Sequence, residues 1–189
     1  MAGLPHWDNS QAARAYYEPV FQNQFEVIIT PPATITENTD LLVEQVLKIS
    51  GLPEFLTPGT AIQQYKFAKR AYAAAVPNET LTNLSVTFEV NLNDENNMYV
   101  YNILRGWGDL IYDPLTGRQG LKKDYIGEIF VGVANKAGDI FREYRFNPAF
   151  LSKNVNAIAL DYNATGVYQI TADFVCDAYK ETRVGQINV

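Results

Sequence analysis

A chain of 189 residues, 47% hydrophobic and 19% charged, has the composition of one globular domain with room for an appended arm, and not of a disordered tract. Its formal charge of −6 argues against a surface that grips nucleic-acid phosphates, and the nearest candidates for a basic cluster are two small groups, Lys66, Lys69 and Arg70, then Arg118, Lys122 and Lys123. A single cysteine, Cys176, and a single histidine, His6, leave no intrachain disulfide and no zinc set, and a Cys–His or Ser–His–Asp device would have to use His6, among the first few residues.

Residues 1–22 read as an N-terminal arm, with a short helix started by Ser10 and ended by Pro19. The first residues have neither the basic region nor the apolar run of a signal peptide, and no stretch approaches the ~20 apolar residues of a membrane span. The expectation is a protein made in a cytoplasm-like compartment. In Gln24 to Thr30, Phe25, Val27 and Ile29 share one face of a strand that Pro31-Pro32 stops. A polar loop over 33–40 leads to a second strand within Leu41–Ser50. Gly51-Leu52-Pro53 and Pro58-Gly59 then bracket an irregular loop long enough to have a task of its own. The stretch Ile62–Val76 mixes Tyr65, Phe67 and Tyr72 with cations and alanines, a pattern open to strand or helix.

The clearest alternation runs from Leu84 to Leu92, with Val86, Phe88 and Val90 on the same face. Asn93 or Asp94 would cap the helix that follows, with Asp94 and Glu95 at the positive end of its dipole. Val100, Ile103, Leu104 and Trp107 make its buried stripe, and Gly106 and Gly108 its end. A turn-rich connector precedes two strands, Tyr125–Asn135 and Asp139–Asn147, joined by a hairpin turn at Lys136-Ala137-Gly138 and closed by Pro148. The last strand is Tyr168–Tyr179, which buries Ile170, Ala172, Phe174 and Cys176. About seven strands and one helix predict a mainly β fold, an antiparallel sandwich or barrel of two sheets with one flanking helix. The domain spans 23–180, and 181–189 form a C-terminal tail.

Chemistry is hard to assemble from these residues. Asp94 and Glu95 read as helix capping, and Asp173 and Asp177 as a solvated strand face. Gly117-Arg118-Gln119-Gly120 lacks the strand, helix and lysine of a phosphate-binding loop. No cofactor and no enzymatic activity is expected.

The order of the segments carries a resemblance. Asn23-Gln24-Phe25-Glu26-Val27-Ile28-Ile29 after a short arm, the strand 84–92 passing through Asn93-Asp94-Glu95 into a helix bearing Trp107, and Ile158-Ala159-Leu160-Asp161-Tyr162-Asn163 leading into the strand from Tyr168 resemble the major tail tube proteins of contractile-tailed bacteriophages. The likeness runs from about residue 10 to 180. The connector 109–123 and the loop 31–41 are longer than the simplest members need, and Asp177-Ala178-Tyr179 keeps the family's acidic-aromatic ending loosely.

This resemblance implies homo-hexameric rings stacked into a hollow tube inside a contractile sheath, with a baseplate or tube initiator and a tail terminator as further partners. DNA would transit the lumen without specific binding, and the protein would end in the virion after assembly in the host cytoplasm, with no membrane insertion. The same fold serves type VI secretion and extracellular injection tubes, and a non-enzymatic β-rich binding module is the alternative outside the family. On this reading Leu52, Pro53, Glu54, Phe55, Leu56, Tyr65, Phe67, Lys69, Arg70 and Tyr72 make inter-ring or inter-subunit contacts. Strands bearing Gly127, Ile129, Val131, Arg142 and Tyr144, with those near 45–50 and 62–75, join a continuous inner barrel; the strands 84–92 and 168–178 form the outer sheet.

Overall fold

The computed structural model describes residues 21–36, 39–53, 60–73, 81–91, 100–152, 155–157, 161–163 and 165–183. Several expectations fall wholly or largely outside them: the helix over 10–21, the end of the central strand at Leu92 with the Asn93–Glu95 cap, the segment Glu54-Phe55-Leu56, the segment Ile158-Ala159-Leu160, and the tail beyond 183.

The fold is mainly β and antiparallel. The strands are β1 (Phe25–Thr30), β2 (Val46–Ser50), β3 (Thr60–Gln64), β4 (Lys69–Ala73), β5 (Thr82–Glu89), β6 (Tyr112–Asp113), β7 (Arg118–Gln119), β8 (Gly127–Ala134), β9 (Ile140–Leu151), β10 (Asn156–Ala157), β11 (Gln169–Cys176) and β12 (Tyr179–Arg183). The helices are α1 (Leu41–Glu44), α2 (Val100–Ile111) and α3 (Lys122–Tyr125). The main sheet has the order β1-β8-β9-β11-β5-β2, with β10 beside β11 and β12 beside β9.

The twelve residues of β9 join the two halves of this sheet. Along one side they pair with β8; along the other, Arg142–Phe146 pair with β12 and Ala149–Leu151 with β11. The two expected sheets are thus joined through one shared strand. β9 also runs through Pro148, where a strand end was expected. Proline cannot donate to a ladder, and it is tolerated here because the β8 register skips between Gly127 opposite Ala149 and Ile129 opposite Phe146. The Pro148 carbonyl still accepts from the Asp177 N–H at 3.1 Å. The Asn147–Pro148 peptide is cis.

Alternation decides which residues enter the core. Val27 and Ile29 of β1, Leu84, Val86 and Phe88 of β5, Ile129 and Val131 of β8, Tyr144 and Phe146 of β9, and Ile170, Ala172 and Phe174 of β11 are all buried. Helix α2 adds Val100, Ile103, Leu104 and Trp107. It continues past Gly106 and Gly108, against expectation, because Ile111 extends the apolar stripe and packs on the core. Each glycine costs a helix interior only about 1 kcal/mol, which such packing offsets.

Trp107 lies fully buried, its ring 5.5 Å from that of Phe174, and its Nε1–H donates to the Tyr125 carbonyl at 2.7 Å. The indole fits because Gly127 has no side chain. A Cβ there would stand 2.9 Å from Trp107 Cη2 and Cζ2 and would press on the Thr30 carbonyl. The connector after α2, expected as a loop, is laced down: β6 pairs with β7, and Lys122 of α3 bridges to Asp177. Gly138 turns the β8–β9 hairpin at φ +87°, as the turn at 136–138 requires.

Gly127→Ala should destabilise the fold by about 1–3 kcal/mol through overpacking, whereas Gly106→Ala, with open space at its Cβ position, should stabilise it by about 0.5–1 kcal/mol. Urea unfolding followed by fluorescence measures both, and equal effects would contradict the packing assigned to Trp107.

The Thr116 hydroxyl, at 2.5 Å, and then the Leu115 N–H, at 2.9 Å, hold the Asp113 carboxyl below its ordinary 3.8. A depressed carboxylate stabilises above its unfolded pKa, and that contribution disappears as pH falls through the folded one. The Leu115 amide resonance should therefore shift with a midpoint below 3.8 in an NMR titration; a midpoint at or above that value would show that the turn does not hold the carboxylate.

Candidate functional site

Among the described residues no group of three His, Cys, Asp or Glu side chains could hold a metal ion. Asp177 is bridged to Lys122, and the Asp173 carbonyl accepts from the N–H and hydroxyl of Ser152. Cys176 is fully buried, and burial, with a smaller push from the Asp177 charge, raises its thiol from 9.0 to about 12.

The surface with most to explain is the segment 60–73. The pattern of Ile62–Val76, open to strand or helix, resolves into two strands: among the described residues β3 pairs with β4 alone, as a separate hairpin. Every residue from Thr60 to Ala73 is exposed. Tyr65-Lys66-Phe67-Ala68 make the turn, in which the Tyr65 N–H donates to the Ala68 carbonyl at 2.7 Å.

The register places Ile62 opposite Ala71, and Thr60 opposite Ala73, on one face. Tyr72 and Arg70 lie opposite Ala61 and Gln63 on the other. Tyr65 donates to Gln63 Oε1 at 3.0 Å, and the Arg70 guanidinium stands 5.8 Å from the Tyr65 ring. Hydrogen bonding between the Tyr65 and Tyr72 side chains raises the Tyr65 phenol above its usual value. Phe67 is 90% exposed and Ile62 69%. Such an apolar and cationic arm, outside the core, has the composition of a contact surface.

The expected contact residues divide between two places. Tyr65, Phe67, Lys69, Arg70 and Tyr72 all lie on this hairpin. Leu52 and Pro53 are half-buried against the body, and Leu52 packs on the core. Of the strand residues expected to join an inner barrel, Ile129, Val131 and Tyr144 point into the subunit's own core. Gly127 accommodates Trp107, and Arg142 pairs with Glu181 at 2.7 Å and stands 5.1 Å from the Tyr144 ring. What β1, β8 and β9 present on the opposite face is a row of Ile28, Phe130 and Arg145, flanked by Glu26 and Glu143.

A second feature escaped the sequence. Among the described residues β1 pairs only with β8, and β2 only with β5, so these two strands are the ends of the main sheet. Between these strands lies a groove of about 640 Å³ lined by Phe25, Leu47, Ile49, Leu52, Val131 and Val133, among others. Its rim is set by a bulge in β2 at Leu47, which leaves that side chain 42% exposed. The only sequence signal was the apolar Val46-Leu47, which breaks the alternation expected of a half-buried strand.

The buried thiol gives a direct check on the core. Ellman's reagent should leave Cys176 unlabelled in the native protein at pH 8 and label it fully in denaturant. Because the folded pKa is raised, the stability it confers is complete below pH 9 and is lost as pH climbs towards 12. Rapid native labelling would contradict the burial.

No protein-family model matches the sequence, and no curated protein matches it. Solved structures match in fold. A chain of the anti-feeding prophage cap, which terminates the tube, is 12% identical over 90% of this chain and 95% of that one, with a TM-score of 0.55. A chain of the sheath–tube complex of an extracellular contractile injection system, PVC, in its extended state is 14% identical over 93% and 99%, with a TM-score of 0.55. A chain of the PVC sheath/tube terminator in the extended state is 13% identical over 89% and 99%, with a TM-score of 0.56. At these identities the likeness is one of fold, and it takes in nearly the whole of each chain: this protein has the fold of chains found in contractile injection particles.

Proposed function

We propose that this protein is a structural tube subunit of a contractile apparatus, assembling as stacked homo-hexameric rings, and that it has no catalytic role. The observation that carries the reading is the exposed hairpin 60–73, which offers Ile62, Phe67 and Tyr72 to water with no partner element among the described residues of its own subunit. A lone two-stranded ribbon is marginal in water, so a second surface is needed to hold it. The unpaired edges of β1 and β2 point the same way, since subunit association is one means of covering strand edges. The fold shared with chains of injection particles supports the same reading.

The order of sequence segments favours the tail tube of a contractile phage, a conduit for DNA inside a sheath, with baseplate and terminator at its ends. A net charge of −6 suits such a conduit, because a lumen that does not attract phosphate lets DNA slide. The second reading is the tube, or a tube-end ring, of an extracellular injection system, favoured by the source of the fold relatives.

Negative-stain electron microscopy of the purified protein should show six-fold rings or tubes. The double variant I62S/F67S should remain folded and fail to assemble. Its melting temperature should move by less than about 2 °C, since exposed substitutions cost within about 0.5 kcal/mol. A wild-type protein that stays monomeric at high concentration, or tubes formed unchanged by the variant, would overturn the proposal.

A further inference from the structure

We infer that the tip of the β3–β4 hairpin is a membrane-surface contact, whose partner is the interface of a bilayer rich in anionic phospholipid. The inference goes beyond the assembly reading and does not depend on it. It needs only that the hairpin be uncovered, as it is in a lone subunit.

Charge is the first observation. Residues 60–73 contain Lys66, Lys69 and Arg70 and no acid, so the net −6 divides into +3 on the hairpin and −9 on the rest of the chain. Among the described residues no carboxylate pairs with any of these three cations. Two of them stand over rings instead: Lys66 Nζ is 5.6 Å from the Phe67 ring, and the Arg70 guanidinium 5.8 Å from that of Tyr65. Cations left unneutralised in this way are drawn to a surface of lipid phosphates.

The order of the side chains along the arm is the second. The turn closes beyond the last pair, Gln64 with Lys69, and carries Phe67, almost wholly exposed, at its end. Lys69 and Arg70 stand behind it in β4, and Tyr65 and Tyr72 are each nearly half exposed. Ile62, with Ala71 opposite, continues an apolar face behind the tip. An apolar side chain in front, with cations and phenols behind, matches the layers of a bilayer surface, where acyl chains lie beneath the phosphates. A nucleic-acid backbone asks for the reverse order, with cations leading.

Length fixes the depth of the contact. Strands of five residues fall short of the roughly nine to eleven that cross a bilayer, so the contact is peripheral and only the tip enters the headgroup boundary. Five residues nevertheless reach roughly 17 Å. That is about twice the ~8 Å over which charge is screened at physiological ionic strength. The −9 of the body therefore does little to repel a surface met at the tip.

The test is flotation of the full-length protein with vesicles of equimolar phosphatidylglycerol and phosphatidylcholine, against vesicles of phosphatidylcholine alone. Assembly is followed in the same samples by negative stain. The anionic vesicles should carry the protein upward and the neutral ones should not. Each cation near such a surface multiplies binding about fivefold, so K66Q/K69Q/R70Q should bind about a hundredfold more weakly. F67S, with all three cations kept, should lose about tenfold. Protection of Cys176 from Ellman's reagent checks that both variants are folded. Equal binding by F67S would overturn the inference by reducing the contact to charge. A DNA duplex that displaces the vesicles at equal phosphate concentration would overturn it in favour of nucleic acid. Rings or tubes without flotation would overturn the membrane assignment alone, and flotation without rings or tubes the assembly reading alone.

Discussion

Burial of the Trp107 indole constrains much of the remaining structure. A ring of that size removes a large apolar surface from water, but only where its N–H finds an acceptor. The Tyr125 carbonyl provides one, and this fixes the path of the chain from α2 through α3 into β8. The same ring requires a bare backbone at Gly127, at the start of β8. β8 in turn sets the register of both β1 and β9. The helix, the connector and half of the sheet thus answer to one side chain. The Tyr125 and Phe150 rings, 5.5 Å apart, and the Lys122–Asp177 bridge fasten the connector from the other side.

The hydrophobic residues divide into two populations with different partners. Those of the core are buried by alternation and need nothing outside the subunit. Those of the hairpin 60–73 are displayed on a thin arm among cations, where they add nothing to the stability of the body. This separation lets the residues of the hairpin change without unfolding the body of the subunit.

The sequence was most informative where burial is one-sided. Leu84, Val86 and Phe88, the stripe Val100 to Trp107, and Ile170 to Cys176 each show a period that survives into the structure because one face meets the core. The hairpin was not legible for the converse reason. Both its faces are exposed, so no period develops, and its turn, Lys66-Phe67, has no glycine or asparagine to mark it. Strand β9 was cut short at Pro148 because the register skip that accommodates a proline comes from β8, a distant segment. β12 went unseparated from β11: Tyr179-Lys-Glu-Thr-Arg183 has little apolar content, and only its pairing with β9 makes it a strand. The open seam is a property of strand order, which no local pattern encodes.

The pairing of β1 with β8 has a consequence for the order in which the molecule can form. About a hundred residues separate the two strands. At the ~5–20 residues per second of protein synthesis, a nascent chain displays Phe25, Val27 and Ile29 for roughly 5–20 s before their partner emerges. Long-range closure of this kind also slows folding, because a large loop must be ordered before any pairing compensates. β2 and β5 can meet well before that, and the hairpin 60–73 is local. The exposed hairpin can therefore form on the ribosome before the body that carries it, which makes crowding among neighbouring nascent chains a hazard specific to this topology.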